Sequence, residues 1–312
     1  GAKVLVTDKK SAEELAPSVK KLERYPNVRF ALGGHELKDF SDVDFVIKSA
    51  GVPLDSPYIK EARKNKVPVY MSTALFVKLL PPGVTVVGVT GTRGKTTTTI
   101  LIYETLKAAK KRVHLGGNVR GVSTLALLPK VKPGDFVVLE LDSWQLQGFG
   151  DLKISPHIAV FTSFFPDHMN YYSGSMKKYF RDKSNIFKYQ TSNDYLITCG
   201  KTVEKLVKGV ALRSKRLHLK PKVFQQFFHR LNAKIPGEHN RQNIACAVAV
   251  ADVLKIPRSI TRKTVENFRG VSGRLELVRE IRGVKIYNDT TATTPDATIA
   301  ALPSGELLST TH

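Results

Sequence analysis

The sequence predicts an α/β fold built on parallel sheets. Short apolar runs typical of buried strands alternate with segments of helical periodicity. This alternation is the βαβ rhythm of a parallel sheet. One strand is joined to the following helix by a glycine-bearing loop, an arrangement suited to holding an anion at a helix N-terminus. With 312 residues, the chain is long enough for two or three units with separate cores.

The first 82 residues predict an incomplete Rossmann-like domain. Its predicted strands are 4–7, 45–48 and 67–70, and its predicted helices are 11–24, 57–64 and 73–80. Asp8 follows the first strand, where doubly wound domains place ligand-contacting groups. A complete sheet of this type opens with a strand, a glycine-rich turn and a helix, and we expect the chain to begin after that unit. Pro81, Pro82 and Gly83 predict a linker.

A second alternating block is predicted over residues 83–270 and contains the most informative motif, GVTGTRGKTTTT at 88–99. Gly91 and Gly94 allow the backbone to curl around a phosphate, Lys95 would reach the terminal phosphates, and the Thr96 hydroxyl would bind Mg²⁺. The strict P-loop pattern has a glycine where this chain has Val89, which indicates a variant of the motif. We expect ATP or a close relative to bind here; the alternative is a plain glycine turn before a basic helix.

The remaining predicted elements place three further candidate residues. Strands are predicted at 84–89, 136–141, 157–163, 194–198 and 283–287, edge strands within 200–235, and helices at 242–254 and 295–302. Glu140 ends a buried strand, where a P-loop fold places a metal ligand. His168 follows another strand and is a candidate metal ligand or substrate contact. Lys183 lies on an amphipathic helix, where a surface lysine is the ordinary interpretation.

Composition excludes several classes of protein. The net charge is +22, but the lysines and arginines are scattered, so we expect a solvated basic surface that attracts anionic substrates and no nucleic-acid partner. The best apolar run, 244–251, is too short for membrane insertion. Cys199 and Cys246 lie far apart without metal-ligand or redox spacing, which predicts inert thiols in a reduced, cytoplasmic protein.

A set of segments occurs together in the order and spacing of the Mur ligases: TGTRGKTT, LELDSWQL, FPDHMN, DKSNIF, GEHNRQN, SGRLE and NDTTATTPDAT. The chain resembles this family over nearly its whole length. The resemblance implies an ATP-dependent, amide-forming ligase of peptidoglycan synthesis that phosphorylates the carboxylate of a UDP-linked substrate. An amino group then displaces the phosphate. The sequences of these segments are most similar to those of family members that add D-glutamate to UDP-N-acetylmuramoyl-L-alanine.

The resemblance also implies roles for individual residues. Lys95, His168 and Lys183 would be catalytic, and two Mg²⁺ ions would be held by Thr96, Glu140, His168 and Lys183, the last as a carbamate. ATP would contact Gly91, Thr92, Arg93, Gly94, Lys95, Thr96, Thr97, Asn240, Asn243, Arg274 and Asp289. Asn240 and Asn243 would lie on the adenine side. The UDP-linked substrate would contact Asp8, Ser49, Asn118 and Gln145.

The chain departs from the family pattern at several positions. Asp142 and Trp144 stand where Ser and Phe are usual, and Thr291 replaces a common lysine. Residues 271–312 resemble only the beginning of a third α/β domain. We therefore expect a monomer that binds ATP and Mg²⁺ with weak or absent ligase turnover. The alternatives are another Mur-type or folylpolyglutamate-type amino-acid ligase, or a basic nucleotide-binding protein without ligase activity.

Overall fold

A computed structural model describes residues 2–53, 55–119, 121–219, 225–229, 231–235, 237–273 and 276–290. The chain divides into two compact units, Gly1–Ser72 and Thr73–His312. The division precedes the boundary predicted at residue 82 because α3 (Ser72–Lys78) begins there, and its residues Thr73 to Phe76 are buried. Arg274, Thr291 and the helix predicted at 295–302 lie outside the described residues.

The first unit contains two short parallel strand pairs. Its elements are β1 (Val4–Asp8), α1 (Ala16–Leu22), β2 (Val28–Leu32), β3 (Val46–Lys48), α2 (Pro57–Lys64) and β4 (Val69–Met71). β1 pairs with β2, and β3 pairs with β4. A small core of Phe40, Ala62 and Val67 holds the unit together. β2 was not predicted, since its residues are half-exposed and form no continuous apolar run.

The second unit is built on a six-stranded sheet with the order β10-β9-β8-β5-β7-β6. All of its strand pairs are parallel. Because parallel strands end at the same edge of a sheet, the loops that follow them lie together. The strands are β5 (Thr85–Thr90), β6 (Val113–Gly117), β7 (Phe136–Glu140), β8 (Ile158–Phe161), β9 (Tyr195–Cys199) and β10 (Lys215–Leu219).

Helices cover this sheet and complete the core. They are α4 (Lys95–Ala108), α5 (Ser143–Leu152), α6 (Met176–Lys188), α7 (Lys201–Lys208), α8 (Gln225–Phe228), α9 (Glu238–Val253) and α10 (Arg258–Asn267). α4 packs against α9, which is buried over most of its length. The central strand β5 is buried from Val86 to Thr90, as expected of a strand covered on both faces. The predicted α/β fold class is confirmed.

Three local features differ from the sequence expectations. Residues 200–235 form α7, β10 and α8 in their described part, rather than edge strands alone. β11 (Glu276–Ile281) and β12 (Val284–Asn288) form an antiparallel pair. Cys199 and Cys246 are far apart in sequence, but both are buried in the core and close enough for each thiol to shift the pKa of the other. Within the described part of the chain, none of the helices is long and apolar enough to cross a membrane.

Candidate active site

The glycine-bearing loop lies at the carboxyl edge of the sheet, between β5 and α4. Gly91 has a φ of +151° and Gly94 a φ of +83°, and both values lie in a region that favours glycine. A Cβ atom at Gly91 would overlap the Thr162 hydroxyl, and one at Gly94 would overlap Asn243 Oδ1. The loop therefore requires glycine at both positions.

The segment that follows β8 holds this loop in place. The Thr162 hydroxyl donates to the Arg93 carbonyl oxygen at 2.6 Å. Ser163 accepts from the Arg93 amide at its Oγ (2.8 Å) and from the Thr92 amide at its carbonyl oxygen (2.9 Å). Thr92 Oγ1 also accepts from the Phe165 amide at 3.0 Å. These contacts fix the loop before any ligand binds, and the sequence motifs did not indicate Thr162 or Ser163.

The first turn of α4 presents backbone donors at the end of this loop. Within the described residues, no side chain caps the helix, whose N-cap is Gly94 in a left-handed conformation. The first amides of a helix have no partner within the helix, and its N-terminus carries a partial positive charge. Lys95, Thr96 and Thr97 begin this turn and are half-buried. The turn can therefore accommodate an anion.

Two lysines donate to the same carbonyl oxygen in this loop. Lys95 Nζ lies 3.1 Å from the Gly91 oxygen, and Lys183 Nζ lies 2.9 Å from it. Lys183 also donates to Thr90 Oγ1 at 3.3 Å. Lys183 is only 1% exposed, so the ordinary interpretation of a surface lysine is wrong. Both side-chain nitrogens therefore lie against the loop.

Burial and charge act in opposite directions on Lys183. Burial, and secondly the Lys95 ammonium, lower the pKa of Lys183 well below its usual range. The carboxylates of Asp142, Asp167 and Glu140 oppose this shift and raise the pKa. Three acidic side chains are therefore close enough to act electrostatically on the same ammonium group. The lowered pKa favours a neutral, nucleophilic amine at this position.

Glu140 ends β7, the strand beside β5, as the sequence predicted. The side chain is buried, and the Glu140 backbone carbonyl accepts from the backbone amide of Asn118 at 2.8 Å. The pairing of Glu140 with Val89 fixes its position one residue before the end of β5. The carboxylate therefore lies at the edge of the sheet that carries the glycine loop.

Asp142 and Gln145 form the N-terminal cap of α5. The Gln145 amide donates to Asp142 Oδ1 at 2.7 Å, and the Asp142 amide donates to Gln145 Oε1 at 3.2 Å. Gln145 Nε2 donates to Thr73 Oγ1 at 3.1 Å. Because Asp and Ser are both good N-cap residues, Asp142 keeps the structural role of the usual serine. Gln145 is thus held by contacts within the protein, and its contact with substrate stays a prediction.

His168 lies in an aromatic cluster near the loop. Its ring centroid is 4.7 Å from that of Trp144, and Nε2 is 3.4 Å from Asp167 Oδ2. Its φ of +53° is uncommon for a residue with a Cβ atom. Tyr171 also packs edge-on against Trp144, at 5.6 Å. Among the residues that the structure describes, no three His, Cys, Asp or Glu side chains form a group that could hold a metal ion.

Two asparagines of α9 support the loop from inside the protein. Asn243 Nδ2 donates to Asn240 Oδ1 at 3.1 Å, and Asn243 Oδ1 accepts from Thr98 Oγ1 at 3.4 Å. Both asparagines are buried. Asn243 therefore lies beneath Gly94, and the adenine-side contact of both asparagines stays a prediction.

Other predicted residues occupy separate places. Asp8 ends β1 and accepts at Oδ1 from the Lys10 amide at 2.9 Å, and the exposed Ser49 follows β3; both belong to the first unit. In the second unit, burial lowers the pKa of His239. The Asp289 charge opposes this shift, and the Arg93 charge adds to it. Asp289 and the loop residue Arg93 therefore both lie within electrostatic range of His239.

A cavity of about 1110 Å³ adjoins the loop-holding segment and was not predicted. It extends from Thr162–Phe165 to the carboxyl ends of β9 and β10 and to one side of α9. Phe165, Phe228 and Gln242 contribute apolar and amide surface, and His218 pairs with Glu204 at 2.6 Å. Pockets that bury small ligands have volumes of this order. A nucleoside can be accommodated beside the phosphate loop.

Comparison with known proteins identifies the family. The model of the Mur ligase middle domain matches residues 89–251, which include the glycine loop, Glu140, His168 and Lys183. The UDP-N-acetylmuramoylalanine–D-glutamate ligase of Roseiflexus sp. is 35% identical, over 97% of this chain and 70% of that protein. The chain belongs to the Mur ligase family. Its class is therefore that of ATP-dependent, amide-forming ligases.

Further relatives support the assignment of this chain to the Mur ligase family. The protein of the same name from Clostridium kluyveri is 34% identical over 98% of this chain and 68% of that protein. The fold is shared by UDP-N-acetylmuramate–alanine ligase from Thermotoga maritima, with a TM-score of 0.58 and 20% identity over 96% of this chain and 76% of that one. The MurF ligase from the same organism, solved with ADP, has a TM-score of 0.57 and 19% identity over 85% and 72% of the two chains.

Proposed function

We propose that this Mur ligase adds D-glutamate to UDP-N-acetylmuramoyl-L-alanine at the expense of ATP. The observation that carries the proposal is the convergence of Lys95 and Lys183 on the Gly91 carbonyl, at the uncapped start of α4. The curated relatives at 34–35% identity, named for this reaction, support the choice of substrates. The same proposal includes a cytoplasmic monomer.

ATP fits the glycine loop. The overlap that a Cβ atom would produce at Gly91 or Gly94 shows that the backbone turns too closely for a side chain. We assign the phosphates to Gly91–Thr97 and the nucleoside to the adjoining cavity, with Asn240 and Asn243 supporting the loop from beneath. Arg93, Asp289 and Arg274 would also contact ATP.

Magnesium also fits the chemistry of the donor groups. Mg²⁺ is bound by few protein oxygens and keeps water and phosphate ligands, so a large group of acidic side chains is not required. Thr96 and Glu140 would hold one ion. His168 and a carbamylated Lys183 would hold a second, since a carbamate replaces the cation by an anion. When bound, the metal neutralises charge on the transferring phosphoryl group.

The proposed reaction begins at the substrate carboxylate. A carboxylate oxygen attacks the terminal phosphorus of ATP, a P–O bond to ADP breaks, and an acyl phosphate forms. Lys95 stabilises the charge of the transferring group. The amino nitrogen of D-glutamate then attacks the acyl carbon, and inorganic phosphate leaves as the amide forms. Asp8, Ser49, Asn118 and Gln145 would hold the UDP-linked substrate.

The test is phosphate release by the full-length protein that carries this sequence, supplied with ATP, UDP-N-acetylmuramoyl-L-alanine and a panel of amino acids. We expect D-glutamate alone to support release, and Lys95→Met to abolish it. Lys178→Met is the matched control, because it removes an exposed lysine elsewhere in the same unit. Release with another amino acid, and none with D-glutamate, would overturn the substrate assignment and leave the fold unchanged.

A further inference from the structure

A second cavity, of about 490 Å³, lies at the opposite edge of the six-stranded sheet from the glycine loop. It is formed by the end of α4, the turn into β6 and the segment that leads into β7. These are the amino ends of parallel strands, whereas the loop after β5 is at their carboxyl ends. We propose that this basic pocket, formed around Lys107, Lys111, Arg112, Lys130 and Lys132, binds a small polyphosphorylated anion.

The charges of the pocket are strongly unbalanced. Five lysine and arginine side chains line it, against a single carboxylate, that of Asp135. Lys107 pairs with Glu104 at 3.8 Å and Arg112 with Asp135 at 2.6 Å. In the described part of the chain, the other three lysines have no carboxylate within 4.0 Å. Like charges held around one concave surface create a potential that attracts an anion.

A buried carboxylate organises the wall of the pocket. Asp135 is 2% exposed and accepts from His114 Nε2 at 2.9 Å and from the Lys132 amide at 3.0 Å. Burial alone would raise the pKa of Asp135, but the hydrogen bonds from His114 and Lys132, together with the Arg112 charge, hold it below its usual range. Asp135 therefore remains ionised and fixes two basic side chains at the pocket.

Two contacts orient the Arg112 guanidinium at the pocket. Arg112 Nε forms an ion pair with the Asp135 carboxylate, and Nη2 donates to the Pro133 carbonyl at 3.3 Å. The Arg112 carbonyl accepts from the Phe136 amide at 2.9 Å, which joins the two wall segments. An oriented arginine recognises phosphate geometry better than a free lysine does.

The size and shape of the pocket select the class of ligand. A volume of about 490 Å³ suits a ligand of the size of a nucleotide or a short polyphosphate. The half-buried Tyr103 ring at the wall, with Lys107 Nζ 5.9 Å from its centroid, offers an aromatic surface beside the cations. A concave site with few residues favours a small anion over a long nucleic acid, which requires an extended basic surface.

The test is lysine acetylation of the whole chain, read by mass spectrometry with increasing inorganic tripolyphosphate at constant ionic strength. We expect Lys111, Lys130 and Lys132 to be protected at concentrations that leave the exposed Lys20 and Lys21 unchanged. Lys111→Gln with Lys132→Gln should weaken protection of Lys130 at least about tenfold, since hydrogen bonds to charged groups are lost. Protection of Lys95 at the glycine loop should be retained, which separates this pocket from the ATP site.

Lys20→Gln with Lys21→Gln is the control of equal charge change. An ADP arm identifies the source of the phosphate groups: protection by ADP at lower concentration than by tripolyphosphate identifies a nucleotide, and the reverse order identifies a free polyphosphate. Equal protection of all exposed lysines would overturn the proposal in favour of general ionic screening. Protection by duplex DNA or anionic vesicles, without protection by tripolyphosphate or ADP, would also overturn it.

Discussion

Lys95 and Lys183 donate to one carbonyl oxygen, that of Gly91, from two different helices. The first lies at the N-terminus of α4, and the second is buried on α6. Their ammonium groups repel each other, and this repulsion contributes to the lowered pKa of Lys183. A negatively charged phosphoryl group beside Gly91 would reduce the repulsion between the two ammonium groups. The pair therefore links the architecture of the loop to the proposed chemistry.

The first prediction concerns the pH dependence of stability in protein whose Lys183 amine is not carbamylated. Its pKa is lowered in the folded protein, whereas an unfolded lysine has a pKa of about 10.4. Between these two values only the unfolded chain binds the proton, so the free energy of unfolding rises with pH, by at most about 1.4 kcal/mol per unit. Below the lowered value this contribution does not change with pH.

Urea unfolding of wild type and Lys183→Met across this range measures the effect. We expect the variant to lose the rise with pH, and Lys178→Met, which removes an exposed lysine from the same helix, to keep it. Equal slopes for wild type and Lys183→Met would show that the buried amine does not titrate as described.

The second prediction concerns Gly94. Gly94→Ala introduces a Cβ atom at a φ of +83° and an overlap with Asn243 Oδ1. We expect a loss of at least about 1–2 kcal/mol of stability from the backbone conformation, and loss of ATP binding. Calorimetric titration with ATP and thermal unfolding measure the two effects. Gly209→Ala is the control, since its site is open and its φ is −86°; equal effects of the two variants would contradict the account.

The third prediction separates two roles for Asp142. If Asp142 serves as the N-cap of α5, Asp142→Ala should lower the free energy of unfolding by about 1 kcal/mol, and Asp142→Ser should lower it by much less. The serine variant should also keep ligase turnover. Chemical denaturation and phosphate release test this. Loss of turnover in Asp142→Ser, with stability intact, would show instead that the carboxylate acts in the reaction.

The fourth prediction concerns the contact between Trp144 and His168. Removing the indole in Trp144→Ala should let the His168 imidazole change its orientation. We therefore expect half-maximal turnover to need about 10-fold more Mg²⁺, an effect typical of residues that orient a metal ligand. Trp144→Phe retains an aromatic contact and should be close to wild type. A magnesium titration of phosphate release distinguishes them, and an unchanged Mg²⁺ requirement in Trp144→Ala would exclude the positioning role.

The local parts of this site were predictable, and the long-range parts were not. The glycine loop and Glu140 are contiguous with strong strand patterns, so their positions could be derived from the sequence. The contact of Ser163 with Arg93, and that of Asn243 with the Gly94 region, join residues that only the folded sheet and α9 bring together. The Asp142–Gln145 cap, by contrast, is a local contact between residues three apart in sequence.

Some elements lacked a signal of their own. β2 and β6 are short and largely half-exposed, so neither forms the continuous apolar run that identifies a buried strand. The proximity of Cys199 and Cys246 depends on the packing of α9 against β9. Burial of Lys183 likewise depends on tertiary packing, which the amphipathic pattern of α6 did not reveal.

Transfer of oxygen-18 from the substrate carboxylate to inorganic phosphate tests most directly whether the reaction passes through an acyl phosphate. UDP-N-acetylmuramoyl-L-alanine labelled in its carboxylate oxygens is incubated with ATP and D-glutamate, and the released phosphate is examined by mass spectrometry. An acyl-phosphate intermediate requires one labelled oxygen in each phosphate, because the carboxylate oxygen that attacks phosphorus leaves with it. Unlabelled phosphate, released at the same rate without D-glutamate, would exclude this intermediate and indicate simple ATP hydrolysis.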